Sequence, residues 1–214
     1  MINLRNITPL ASSAAILPGH ELRFNIPGVP GIEPSSAAVE PMTEDGRWNG
    51  GDGSVMNAAE NEQPVVHGVL YKLSEADFAT ICGTEGVPFA YTLHRCRVIP
   101  YEGDGKSSGE DALRRAMASD TEAEENNSNI KANEKPTKNS WGVSAFTLRA
   151  ARKEWRQGKD IPPSQSYLNV LIRGAKEFAL DESYLKKLEN IQVGKTWIGN
   201  GLAEEMLRMA ERQK

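Results

Sequence analysis

The chain has 214 residues and a nearly balanced charge, with 25 lysines and arginines, 29 acidic residues and a net charge of −4 at pH 7. This balance excludes the strongly basic field with which proteins bind nucleic acids or anionic membranes. No apolar stretch approaches the roughly 20 residues that span a bilayer, and the first ten residues lack the apolar core of a signal peptide. We therefore expect a cytoplasmic protein that binds neither nucleic acid nor membrane.

Four segments have the alternation and composition of β-strands. In 20–26, Leu22, Phe24 and Ile26 alternate with polar residues, the pattern of a strand with one buried face. Similar segments follow at 65–73, 91–101 and 141–150. The short helices and loops between them do not suit regular βαβ crossovers, so the strands predict a mostly antiparallel sheet in an α+β protein.

Two segments, 42–63 and 102–140, interrupt the hydrophobic pattern. The first is rich in glycine, asparagine and acids, and the second has no aromatic residue and little apolar surface to offset the entropy of ordering it. We predict that both are disordered, apart from room for a short helix at 111–117, and that 102–140 is dispensable for folding. The whole chain, 1–214, is predicted to be a single domain that carries these two loops.

Capping signals predict three helices. Ser74 is a natural N-cap for a short helix that ends near 83–86, with Asp77 at its third position. After two prolines, Ser164 caps a second helix, and Asp181 caps a third. Apolar residues recur at helical spacing through both later helices. This pattern indicates a helical hairpin that covers one face of the sheet.

The same hairpin resembles the C-terminal half of the gamma-glutamylcyclotransferase family. The family's run of Pro-Ser, Tyr, Gly-Ala-Lys-Glu, Leu and a second Tyr is met in order by Pro163, Ser164, Tyr167, Gly174, Ala175, Lys176, Glu177, Leu180 and Tyr184. The stretch "VHGVLYKLSEADFATICGTEGVPFAY" resembles the middle of the family, and "LPGHELRFNIPG" resembles its fungal branch. The similarity covers about residues 9–191 apart from the two loops.

The resemblance implies a small mixed or antiparallel β-barrel with flanking helices and a cavity at its mouth. It also implies a lyase reaction on a small-molecule γ-glutamyl substrate. The α-amine of the γ-glutamyl group attacks its own γ-amide carbonyl, which gives 5-oxoproline and releases the attached amine. No cofactor is needed, because the nucleophile and the electrophile belong to one molecule, an arrangement whose effective molarity can reach about 10⁵ M or more.

The family's site residues map onto three positions of this sequence. Glu85, in "GTEGV", matches the acid that acts as general base, and its alternative reading is an ordinary loop glutamate. Tyr167 matches a tyrosine that reaches the substrate, and the alternative is a core tyrosine whose hydroxyl binds backbone. Tyr91 resembles an aromatic residue that lines the cavity, with packing as the alternative. We expect His67 to fill a strand position.

Two further observations limit the chemistry. Cys82 and Cys96 are too few for a disulfide framework and lack metal-ligand spacing, so we expect two reduced thiols and no metal site. The family's Tyr-Gly-Ser-Asn loop, whose backbone N–H groups hold the glutamyl moiety, is absent from this sequence. We therefore expect the family's first strand to be missing as well, and the 214-residue chain alone to have little activity.

Three functional classes follow. The first is a γ-glutamyl-cleaving lyase, the second a catalytically inactive binding module on the same scaffold, and the third an interaction domain whose acidic insert recruits partners. Neither the amine half of the substrate nor the oligomeric state follows from the sequence. Turnover of glutathione and the trimming of glutathione adducts in the biosynthesis of sulfur-containing secondary metabolites both stay open.

Overall fold

The computed structural model describes residues 7–29, 32–42, 64–126 and 142–195, except for the side chains of 119–126. These ranges contain β1 (Ala11–Pro18), β2 (His20–Val29), β3 (Glu33–Pro41), β4 (Val65–Lys72), α1 (Glu75–Thr84), β5 (Tyr91–Tyr101), α2 (Ser108–Asn126), β6 (Val143–Ala150), α3 (Lys153–Gln157), α4 (Gln165–Glu177) and α5 (Glu182–Glu189). Of the segment 42–63 that was predicted to be disordered, residues 43–63 lie outside the described residues.

The strands form two antiparallel sheets that curl toward each other as a half-barrel. One sheet has the order β4-β1-β5-β6, and the other pairs β2 with β3. The sheets meet where β3 lies against β6 and β2 lies near β4. A hydrophobic core joins β1, β4 and β5 to α2, α4 and α5. The predicted α+β class, with a mostly antiparallel sheet and flanking helices, is confirmed.

Two strands, β1 and β3, carry no alternating signal in the sequence. β1 lies between β4 and β5, and four consecutive residues, Ala14 to Leu17, are buried because both faces of this central strand are covered. β3 is built mostly of proline, serine, alanine and glutamate, which are weak strand formers. Both strands form because the neighbouring strands and helices cover them, a tertiary effect that a local pattern does not record.

Hydrogen bonds to a side chain connect β3 to β6 where the two sheets meet. The carboxylate of Glu40, only 3% exposed, accepts hydrogen bonds from Arg149 Nε at 2.6 Å and from the Ala150 N–H at 3.0 Å. Asn25 Nδ2 also donates to Glu40, at 3.3 Å. A buried carboxylate costs several kcal/mol of desolvation unless charged and polar groups surround it, and here three donors do so. Glu40 therefore ties β2, β3 and β6 together.

The prediction that 102–140 is disordered is wrong for its first half. The 19-residue helix α2 runs from Ser108 to Asn126, well beyond the short helix allowed at 111–117, and 127–140 lies outside the described residues. Ala112 is buried in the core, and Leu113 and Ala116 pack against it. These apolar residues pack the helix on the sheet, which contradicts the reason for expecting 102–140 to be dispensable, namely that it cannot contribute to the core. Its dispensability for folding stays a prediction.

A buried aspartate from the helical hairpin caps the start of α2. Asp181 occupies the N-cap position of α5, as predicted, but its side chain does not cap its own helix. It is fully buried, at 0% exposed, and accepts from the N–H groups of Gly109 at 2.9 Å and Glu110 at 2.8 Å. Beside it, His67 Nδ1 lies 2.9 Å from Tyr101 Oη, and burial lowers the pKa of the imidazole. His67 thus fills a buried position of strand β4, and a strand position is what the sequence predicted for it.

The close approach of α2 to this polar cluster gives a first test of the fold. Gly109→Ala would place a Cβ 2.8 Å from Tyr101 Cζ and 2.9 Å from His67 Cε1, distances that real Cβ atoms do not tolerate. We expect the variant to lose about 2 kcal/mol of unfolding free energy, the usual cost of overpacking. Urea denaturation measures this loss.

Gly174→Ala in α4 is the matched control, because an added Cβ there meets nothing within 4 Å. Alanine favours a helix over glycine by up to about 1 kcal/mol, so this variant should be as stable as the parent or more so. Equal stability of the Gly109→Ala variant and the parent would contradict the packing of α2 on Tyr101 and His67.

Candidate active site

Glu85 lies at the C-terminal end of helix α1, where the residues next to it fix the backbone conformation. It is the C-cap residue, half-buried, and the Val87 N–H donates to the Cys82 carbonyl while the Gly86 N–H donates to the Gly83 carbonyl. These two bonds define a Schellman motif, which needs a left-handed residue after the cap. Gly86 supplies this residue, with φ +73°.

The other end of α1 begins as predicted. Ser74 is its N-cap, because Ser74 Oγ accepts a hydrogen bond from the Asp77 N–H at 3.1 Å.

A β-bulge in β2 exposes the backbone of one residue of β3. The register between the two strands shifts between Arg23 and Ile26, so that Phe24 and Asn25 lie opposite the single residue Ala37. A bulge leaves part of the ladder unpaired and bends the strand, and bulges are frequent next to active sites. The backbone groups of Ala37 therefore need partners from outside the sheet.

Two tyrosine hydroxyls supply those partners. Tyr91, at the start of β5, donates its hydroxyl proton to the Ala37 carbonyl at 2.9 Å. Tyr167, in the first turn of α4, accepts from the Ala37 N–H at 3.1 Å, and its ring packs edge-on against Phe24 with centroids 6.4 Å apart. Because Tyr167 only accepts in this bond, its own hydroxyl proton is still available for donation.

Two carboxylates lie near the Tyr167 hydroxyl. Burial raises the pKa of Tyr167, the hydrogen bond from Ala37 lowers it, and the charges of Glu85 and Glu33 raise it further. The hydroxyl is therefore protonated at neutral pH and can act as a donor. The structure thus brings Tyr167 and Tyr91 together on Ala37, and places Glu85 close enough for its charge to act on the Tyr167 hydroxyl.

Glu33 is a site residue that the sequence did not reveal. Its carboxylate accepts from the Ser164 N–H at 3.0 Å and from Ser164 Oγ at 2.6 Å. Ser164 Oγ in turn accepts from the Tyr167 N–H at 3.0 Å, which confirms Ser164 as the N-cap of α4. An anion at a helix N-terminus is favourable because it faces the positive end of the helix dipole. Glu33 and Ser164 thus hold the turn from which Tyr167 projects.

A cavity of about 860 Å³ lies next to this group. Its walls come from both sheets, and α1 lines one side. None of the three predicted site residues lines it, but Ala37 does, as do Ile81 and Cys82 from the last turns of α1 before Glu85. Ala37 therefore belongs both to the cavity wall and to the hydrogen bonds of Tyr91 and Tyr167. The cavity also reaches the end of α1 that carries Glu85.

Two absences hold for the described ranges alone. No group of three or more histidine, cysteine, aspartate or glutamate side chains is arranged there to hold a metal ion. No helix in those ranges is both long enough and apolar enough to cross a bilayer. Cys82 is half-buried and Cys96 buried, and both are free thiols.

The sequence matches one protein family and is similar to fungal gamma-glutamyl cyclotransferases. Residues 65–188 match the AIG2-like family. The gamma-glutamyl cyclotransferase gliK of Claviceps purpurea is 25% identical over 187 residues, which are 87% of this chain and 62% of the relative. The gliK protein of Aspergillus fumigatus is 32% identical over 102 residues, which are 48% of this chain and 37% of the relative. The chain thus spans less than two thirds of either fungal relative.

A solved structure has the same fold. A gamma-glutamyl cyclotransferase aligns with 99% of this chain and 90% of its own, with a TM-score of 0.57 and 16% sequence identity. At this identity the likeness concerns the fold alone. It agrees with the curled antiparallel sheet and flanking helices described above.

The bond from Tyr91 to Ala37 gives a second test. Tyr91 is only 7% exposed, so Tyr91→Phe leaves the carbonyl of the half-buried Ala37 without this donor. We expect a loss of about 1–2 kcal/mol of unfolding free energy. Tyr71→Phe is the control, because the half-buried Tyr71 hydroxyl makes no hydrogen bond to a described residue and its loss should change stability little. Equal effects of the two variants on thermal unfolding would contradict a structural bond at Ala37.

Proposed function

Because the chain belongs to the AIG2-like family and has the fold of a gamma-glutamyl cyclotransferase, we propose that it cleaves small γ-glutamyl amides and releases 5-oxoproline. The observation that carries the proposal is that the charge of Glu85 acts on the Tyr167 hydroxyl, which burial keeps protonated and which binds Ala37 in the wall of the cavity. A carboxylate and a hydroxyl donor are the two groups that this reaction needs most.

The reaction rearranges one molecule and consumes no water. The substrate's α-ammonium loses a proton, and the free amine attacks the γ-carbonyl carbon to form a five-membered ring with a tetrahedral centre. The bond between that carbon and the amide nitrogen then breaks. The leaving amine takes up a proton, and the carbonyl reforms in 5-oxoproline.

Glu85 is the proposed general base. Its carboxylate removes the proton of the α-ammonium and can return it to the leaving nitrogen, so the proton balance closes within the site. Such a base contributes on the order of 10²- to 10⁴-fold to the rate. The Schellman motif supports this role because it holds the Glu85 backbone rigidly while the side chain remains half-exposed.

Tyr167 is the proposed donor to the substrate. Its hydroxyl keeps its proton at neutral pH, and it already accepts from Ala37, so the free proton points to another acceptor. A substrate carboxylate or the developing oxyanion would be such an acceptor. Tyr91 has a supporting role in this scheme, since it holds the carbonyl of the same Ala37.

A binding module without catalysis is the alternative function. One observation favours it: both tyrosine hydroxyls already bind Ala37. Assaying the 214-residue chain beside a version to which the family's Tyr-Gly-Ser-Asn loop has been added distinguishes the two. Binding of a γ-glutamyl amide with no 5-oxoproline from either protein would favour the module.

Replacement of the base tests the mechanism directly, in a protein to which the family's Tyr-Gly-Ser-Asn loop has been added. Glu85→Gln keeps the shape of the side chain but cannot accept the ammonium proton, so kcat for 5-oxoproline release should fall by about 10²-fold or more with little change in KM. The measurement is 5-oxoproline formed from a γ-glutamyl amino acid and from glutathione. Glu102→Gln removes one carboxylate at an exposed position after β5 and should keep the parent rate. A Glu85→Gln variant that retains most of its rate would refute the base.

Tyr167→Phe, in the same loop-containing protein, tests the donor. We expect kcat/KM to fall about tenfold, which corresponds to one hydrogen bond to a charged or polarised group. Because the Ala37 N–H also loses its acceptor, stability should fall by about 1 kcal/mol as well. Tyr91→Phe is the comparison, since it breaks the other bond to Ala37 at similar cost to stability. If the two variants lose kcat/KM equally, Tyr167 acts only by holding Ala37.

A further inference from the structure

The cavity beside Ala37 extends away from Glu85 along the length of α1. Its lining includes Cys82 near the end of the helix and Glu75 at its start. At 1.5 Å per residue these two positions are about 10 Å apart. The cavity therefore has room for an elongated group that begins near the proposed reaction centre.

The walls of this cavity are mostly apolar, with hydroxyl groups from serine, threonine and tyrosine side chains among them. Leu22, Val39, Phe78, Ile81, Leu93 and Leu148 all contribute to the lining. The charged residues of the lining are Lys72 and Glu75, one of each sign, both at the end of the cavity far from Glu85. A short amine that carries its own carboxylate, such as cysteinylglycine, would meet no cation of the lining near the reaction centre.

Three large apolar residues of the lining are exposed to solvent, unlike the residues of the core. Leu93 is 39% exposed, Val143 is 47% and Phe146 is 57%, and all three line the cavity. Phe78 and Phe146 both line the cavity, and their rings contact each other with centroids 5.9 Å apart at 40°. Contiguous exposed apolar surface in a concave site is typical of a ligand pocket, and such pockets have volumes of roughly 300–1,000 Å³. The aromatic pair suits contact with a flat ring.

We propose that this cavity binds the amine half of the γ-glutamyl substrate, and that this half is a bulky apolar group, preferably with an aromatic ring. The inference rests on the proposed function, since it takes Glu85 and Ala37 as the border of the reaction centre. It adds the substrate class: γ-glutamyl amides of large apolar amines rather than of small or anionic ones.

A substrate series measures this preference. The γ-glutamyl amides of methylamine, butylamine and 2-(2-naphthyl)ethylamine have leaving groups of similar basicity, so differences in kcat/KM report binding rather than bond cleavage. We expect kcat/KM to rise about tenfold or more from the methyl to the naphthylethyl amide, as the buried apolar area increases. A flat series in an active enzyme would overturn the cavity assignment and leave the proposed function standing.

Variants connect the preference to the cavity. Phe78→Ala removes one ring of the aromatic pair, and Leu93→Glu puts a charge on the half-exposed wall, where folding should tolerate it. Each should reduce the ratio of kcat/KM for the naphthylethyl amide to that for the methyl amide by about tenfold. Phe89→Ala is the matched control, because Phe89 is 82% exposed and does not line the cavity. A ratio that stays constant in both cavity variants would refute the proposal.

A binding measurement separates this inference from the proposed reaction. N-acetyl-2-(2-naphthyl)ethylamine carries the apolar group without the γ-glutamyl part, and calorimetry can follow its binding to the parent and to the Leu93→Glu variant. Binding that the variant loses by about tenfold supports the cavity as the apolar site. If the probe binds in this way but no γ-glutamyl amide is turned over, the proposed function fails, and the ligand is not an amine half.

Discussion

The half-barrel depends on how its two sheets are joined where β3 meets β6. An open strand edge carries N–H and C=O groups that need partners, and a buried edge without them is costly. In the described part of the chain these two strands share no ladder, and side chains serve instead. Glu40 binds the end of β6, while Tyr91 and Tyr167 bind Ala37. The buried carboxylate of Glu40 thus links β3 to β6, and the two phenols link β3 to β5 and α4.

This solution explains why the candidate site lies where it does. The β2 bulge frees the backbone of Ala37, and the two tyrosines that satisfy it converge there from β5 and α4. Tyr167 then lies near Glu85, which the end of α1 holds. Structural and proposed catalytic roles overlap in Tyr167, so loss of its hydroxyl affects both the fold and the site. The alternative readings of a core tyrosine and a substrate-binding tyrosine are compatible with the same geometry.

Helix α2 shows the limit of reasoning from composition. The segment 102–140 is poor in apolar residues, and an average over it predicts disorder. Its first half nevertheless forms a helix because Asp181 satisfies two N–H groups at its start and small residues let it approach the sheet closely. The average composition of the segment does not record these contacts, because each of them depends on single residues: Asp181 at the N-terminus of the helix, and Ala112 and Ala116 against the sheet.

The sequence by itself determined the elements whose signals are local. Ser74 and the Glu85-Gly86 pair bound α1 because a cap binds N–H groups and carbonyls only a few residues away. The strand at 20–26 and the two helices of the hairpin were also predicted from local patterns. The single buried face predicted for this strand is wrong, because Arg23 and Asn25 are buried as well. The residues quoted for the family resemblance also led to the fold and to Glu85 as a candidate.

Only the tertiary structure decided which distant groups meet. Glu33 lies 131 residues from Ser164, Ala37 lies 130 residues from Tyr167, and Asp181 lies 72 residues from Gly109. β1 formed as a buried central strand without any alternation of its own. Hydrogen bonding and burial depend on the final arrangement of both sheets and all the helices, and a chain segment carries no local record of the partner that will reach it.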